Sequence, residues 1–232
     1  MNLQNTVDEI KKLENEYLPK SKIITSSKDK QFLNLLVETY TLVEITKRYS
    51  NNNLYSAMLF DVETLYNQIL YSFITRNIMS LQSLFRIQSD LNLKLLLCIY
   101  DESQSNLTNK RYEQIQGEFF RYIKDDIKKI PSNVIEKASV SILESMFSEY
   151  SEIIHDKKPE SLDVLSFVST ELSRESLINN KMLKNIKSFN TFMYKAIFPI
   201  KHLNYSRFGT VEITLLKNST TPRRFKKILE RF

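Results

Sequence analysis

Two glycines in a chain of 232 residues leave little room for anything but helices. A β-rich chain of this length needs many tight turns, and those turns ask for positive φ angles that residues other than glycine adopt at a cost. Gly117 and Gly209 stand alone, and prolines number only five. Long helices joined by a few polar loops are the expectation. Hydrophobic residues at 42% and charged residues at 26% place the chain with ordinary globular proteins.

Apolar spacing fills in the elements. Val7–Leu18 reads as a short helix stopped by Pro19. From Asp29 the stripe Phe32, Leu35, Leu36, Thr39, Leu42, Val43 predicts a helix reaching about Tyr49. Ser50 to Asn53 break it, and the next helix carries Leu54, Met58, Val62, Leu65, Ile69 and Phe73. The phase slips at Thr75–Asn77, after which a further helix runs through Ile78, Phe85, Leu95 and Ile99. Asp101–Asn109 reads as a loop. One helix is expected from there to Ile130, and another from Ser132, its N-cap, to His155. Two more helical stretches follow, at about Leu162–Ser173 and Leu177–Ile197.

The end of the chain changes character. Val211, Ile213 and Leu215 alternate with Glu212 and Thr214, the period of a half-buried strand, and Lys201–Phe208 is expected to return as its hairpin partner. From Thr221 a short terminal helix is expected, with Pro222 in its first turn. The fold class is therefore all-α: a bundle of about seven helices over 1–198, with a small β-hairpin and short-helix appendage over 199–232.

Charge divides along the same line. Residues 176–232 hold 12 Lys/Arg against 2 Asp/Glu, whereas the preceding 175 hold 21 against 25. A basic end on a mildly acidic body suits a polyanion, or docks on an acidic partner surface. Arg223, Arg224, Lys226, Lys227 and Arg231 crowd the last ten residues. Arg223, Lys227 and Arg231 form one helical stripe, backed by Phe225, Ile228, Leu229 and Phe232. Such a stripe meets a phosphate backbone by counterion release. Tyr205, Arg207 and Phe208 add an aromatic-basic patch fit to stack on bases, and Lys181, Lys184, Lys187 and Lys195 add charge upstream.

Several chemistries are not supported. No glycine-rich loop offers a phosphate cradle, and no nucleophile elbow is present. Cys98, the lone cysteine, lies in the apolar run Leu95–Tyr100 and reads as a core residue. Glu152 and His155 make one Glu-x-x-His pair, but a di-iron bundle uses two, so neither a metal nor a cofactor is expected. Without an apolar N-terminal segment or a span-length apolar run, the chain reads as cytoplasmic, with no membrane partner.

The phrase Tyr150-Ser151-Glu152-Ile153-Ile154-His155-Asp156-Lys157-Lys158 resembles the last motif of HEPN domains, helical bundles of prokaryotic defence, toxin and CRISPR-associated ribonucleases. Phe85-Arg86-Ile87-Gln88-Ser89-Asp90 is similar to the Arg-x-x-x-acid helix found earlier in several such families. The resemblance implies a nucleic-acid-binding or regulatory module of a phage-defence, toxin–antitoxin or mobile-element system, often a homodimer. It also implies an alternative, a metal-independent endoribonuclease with His155 as general acid–base and Arg86 supplying the cation. HEPN nucleases place that Arg a few residues before the His, where this chain has Ser148, Glu149 and Tyr150. A protein–protein interaction module without nucleic acid is the remaining alternative.

Overall fold

The computed structural model describes residues 3–17, 23–50, 53–155 and 178–230. Ten helices are found among them: α1 Leu3–Tyr17, α2 Ser27–Arg48, α3 Asn53–Ile74, α4 Ile78–Ser103, α5 Asn109–Gly117, α6 Phe120–Lys128, α7 Lys137–His155, α8 Asn180–Phe192, α9 Thr210–Ser219 and α10 Pro222–Leu229. The stretch expected at Leu162–Ser173 and residue Arg231 lie outside the described residues.

Helix α4 is the axis of the bundle, flanked by α3 and α7, while α2 packs on α3, α8 and α9. Aromatic rings tie these helices at one point. Phe85 of α4 meets Phe32 of α2 at 6.4 Å, Phe189 of α8 at 6.0 Å and Tyr150 of α7 at 5.8 Å, and Phe73 of α3 closes on Phe32 at 5.3 Å. All five are buried. Each such ring removes a large apolar area from water and adds a directional contact to its neighbours.

Three helical segments close here without glycine. Arg76, Ser105 and His202 have φ of 56°, 58° and 52°. In each case the next amide reaches back five residues (Asn77 to Ser72, Asn106 to Asp101, Leu203 to Phe198), while the left-handed residue itself bonds three back. These are Schellman closures, normally given to glycine. Starts are capped by side chains. Ser26 accepts from the Asp29 amide, and the buried Asp29 carboxylate accepts from Ser26 N, Thr25 N and Thr25 Oγ1.

Three expectations are corrected. Thr210–Ser219 is a helix, and no strand occurs among the described residues. Its buried positions are Glu212, Leu216 and Ser219, spaced i, i+4, i+7, while Val211 stands 52% exposed. Glu212 bends back to accept from the Gly209 amide at 2.9 Å. The alternation thus spans too few residues to outweigh a capped helix docked on α2. The single helix expected up to Ile130 is two, because α5 ends at Gly117 and Glu118 and Phe119 are extended. The helix placed from Ser132 begins at Lys137, and a turn precedes it.

Helix α8 continues beyond Phe192 through a π-helical turn, Met193–Ile197, and a last α turn, Phe198–Ile200. Pro199 explains the widening. It has no N–H for the carbonyl of Lys195, and its ring crowds that carbonyl. The Lys195 oxygen instead accepts from the Glu136 amide of the α6–α7 connection at 3.1 Å.

Candidate nucleic-acid interface

Three helices converge on one basic groove. From α2 come Gln31, Asn34, Leu35 and Glu38, and from α8 Asn180, Leu183, Lys184 and Lys187. Both sets have i, i+3, i+4, i+7 spacing, so each helix offers one continuous stripe to the groove. The third wall is the start of α10, with Thr221, Arg223, Arg224 and Lys227. The groove encloses about 500 Å³.

A polar clamp sets the α2–α8 register. Asn190 Nδ2 donates to the Leu35 carbonyl at 3.0 Å, and the single Thr39 hydroxyl proton is shared between that carbonyl, 2.9 Å from Oγ1, and Asn190 Oδ1, 2.5 Å away. Helix α10 is seated by Arg224. Its Nη2 meets Glu38 Oε1 at 2.9 Å and its Nε lies 3.2 Å from both Glu38 oxygens. Glu38 is only 2% exposed. Burial opposes the Arg224 charge, but Glu38 outweighs it and raises the guanidinium above its ordinary pKa. The neighbouring Tyr194 phenol is pushed well up by burial and by the Glu38 charge.

That pairing separates the basic residues of the chain's end into classes. Arg224 is turned inward and neutralised by Glu38, so it fixes the groove rather than offering charge to a ligand. Arg223 and Lys227 are exposed on its rim, facing Lys184 and Lys187, which are exposed too. Among the described residues no carboxylate pairs with these four cations. Lys226 is exposed on α10 but does not line the groove. Arg207 sits apart, beside Glu136, Lys195 and His202, where its carbonyl accepts from the Tyr49 hydroxyl at 3.3 Å. Sequence reasoning counted Lys184 and Lys187 only as added charge and missed the α2 wall. Gln31, Asn34 and Glu38 carry no basic signal, although their spacing as a polar ladder on an amphipathic helix was there to read.

Arg86 projects from α4 onto α7. Its Nε donates to Ser151 Oγ at 2.8 Å, and its guanidinium lies 4.6 Å from the centre of the Phe147 ring. His155 is the last residue of α7, one helical turn beyond Ser151. Among the described residues, no three His, Cys, Asp or Glu come together as a metal site would need. No described helix is long and apolar enough to cross a membrane.

Set against protein-family models, curated proteins and solved structures, the chain matches none.

Proposed function

We propose that this chain is a HEPN-like nucleic-acid-binding or regulatory module that holds a phosphate backbone in the groove between α2, α8 and α10. The observation that carries the reading is the grouping of Lys184, Lys187, Arg223 and Lys227 around one groove, where Glu38, the one lining carboxylate among the described residues, is already neutralised by Arg224. Four uncompensated cations facing one cleft create a positive potential that concentrates a polyanion and gains free energy by counterion release. The setting implied by the resemblance, a defence or mobile-element system, belongs to the same proposal.

The test is fluorescence anisotropy with labelled RNA and DNA across a salt series. Four phosphate contacts give a log–log salt slope of about −3 to −4, which weakens binding roughly a hundredfold between 50 and 200 mM salt. Replacing Arg223 and Lys227 together by alanine should flatten the slope by about 2. Binding that ignores salt, or none at all, sinks the proposal and leaves docking on an acidic protein as the better account.

A second reading, a metal-independent ribonuclease, is favoured by one placement. Arg86 is bonded to Ser151, four residues before His155 on the same helix, so a cation lies one turn from the candidate general acid–base position. RNA cleavage in EDTA that disappears in His155→Ala supports it. Intact RNA after prolonged incubation with the wild-type chain removes it.

A further inference from the structure

A second cleft, of about 610 Å³, opens between α4, α7 and the extended link joining α5 to α6. Its wall is a ready-built stack of planar groups. Phe120 lies parallel to Phe147, with centroids 3.6 Å apart and planes 8° apart, and the Arg86 guanidinium lies over the same ring. The stack is held in place before any ligand arrives. Ser151 Oγ accepts from Arg86 Nε and donates to the Phe147 carbonyl at 2.7 Å, which fixes the guanidinium plane. At the rim Phe119 is 73% exposed, and Arg121 lies on the Tyr122 ring at 4.5 Å.

Charge tells what this cleft is suited to hold. Arg86 and Arg121 line the cleft with Asp90 and Glu118, and Asp90 is bridged by Lys94 at 3.2 Å, so these groups together carry a single net positive charge. With one net charge, the cleft has far less pull on a phosphate backbone than the groove on α2. It offers instead flat aromatic and guanidinium faces, which gain most from a neutral planar ring. A base inside a duplex has both faces already covered and cannot enter, whereas a base in a single strand can.

We infer that the cleft lined by Phe119, Phe120, Phe147, Arg86 and Arg121 is the seat of an unpaired nucleobase, so that the ligand is a single strand. The inference rests on the nucleic-acid reading of the α2–α8–α10 groove and adds a base-stacking site to it. The backbone is then held by lysines and arginines in one place and a base is stacked in another.

Three probes separate the parts: a single-stranded oligodeoxyadenylate, a base-free deoxyribose-phosphate strand of the same length, and a blunt duplex. The full-length chain is expected to bind the oligodeoxyadenylate roughly tenfold more tightly than the base-free strand at equal salt, with the duplex no tighter than the base-free strand. Phe119→Ala, an exposed change that leaves the core alone, should remove about that tenfold for the oligodeoxyadenylate and nothing for the base-free strand. Phe119→Tyr, which keeps a ring, should restore it. If Phe119→Ala binds oligodeoxyadenylate as wild type does, or if the base-free strand binds equally well, the base seat is overturned while a salt-dependent groove survives. If the wild-type chain binds none of the three in a salt-dependent way, the groove reading falls and the base seat falls with it.

Discussion

Replacing Arg224 by alanine tests the construction of the groove most directly, because it leaves the Glu38 carboxylate buried with its principal counter-charge gone. Three nitrogen–oxygen contacts of 2.9–3.2 Å are lost around a group only 2% exposed. Removing one partner of such a pair costs about 3–5 kcal/mol, since desolvation of the survivor is no longer offset. For a chain of 232 residues each kcal/mol lowers Tm by roughly 2–4 °C, so thermal unfolding should begin about 6–20 °C earlier. Glu38→Gln should lose a similar amount, because the guanidinium is then the uncompensated charge. The double variant Glu38→Met with Arg224→Met removes both charges while keeping volume, and should return to within ~1 kcal/mol of wild type. Thermal unfolding followed by circular dichroism or scanning calorimetry measures all three. If Arg224→Ala leaves Tm within about 2 °C of wild type, the bidentate pair does not seat α10 and the third wall of the groove has been misassigned.

Glycine at the left-handed closures should stabilise the chain: Ser105→Gly is expected to gain about 0.5–1 kcal/mol in chemical denaturation, the ~1–2 kcal/mol relieved at positive φ less the added freedom of the unfolded chain. Burial pushes the Cys98 thiol up to about 12, so it should resist thiol reagents at pH 8 until the protein is unfolded. The sign of its pH effect follows. The unfolded thiol ionises near ~8.5, so between there and about 12 the folded state binds more protons, and Tm should fall as pH rises through that window. Asp29→Ala strips three acceptor contacts from the start of α2 and should cost about 1–2 kcal/mol by denaturant titration, whereas exposed Lys226→Ala should leave stability unchanged.

The helical class and most of the helices of the bundle were legible because their apolar stripes are long. Phe32 to Val43 and Leu54 to Phe73 keep phase over several turns, and the slip at Thr75–Asn77 falls where Arg76 closes α3. What misled was short. Val211, Ile213 and Leu215 alternate over too few residues to distinguish a strand from one face of a helix, and the outcome rests on Leu216 meeting the bundle and Glu212 capping Gly209. The break after Gly117 was hidden because Ile115, Phe119, Ile123 and Ile127 keep helical spacing straight across it, yet Phe119 is exposed. For the groove, the sequence displayed cations but not which of them are spent internally. Arg223 and Arg224 are neighbours in the chain, and only the tertiary position of Glu38 makes one a structural tie and leaves the other on the rim.

The π turn of α8 has an evolutionary meaning. Met193–Ile197 winds the backbone more loosely than the helix on either side, which stores one residue's worth of extra chain. Deleting one residue there would let ordinary winding run through and leave the helix beyond close to its present phase, whereas deleting one from the regular turns before it would rotate everything beyond by about 100°. That rotation would swing Phe198 and Ile200, now buried, away from the core and drive the exposed Pro199 inward. The loose turn is therefore where this helix can change length by one residue without moving its buried face. Its residues are less free, since Met193, Tyr194, Ala196 and Ile197 are all buried.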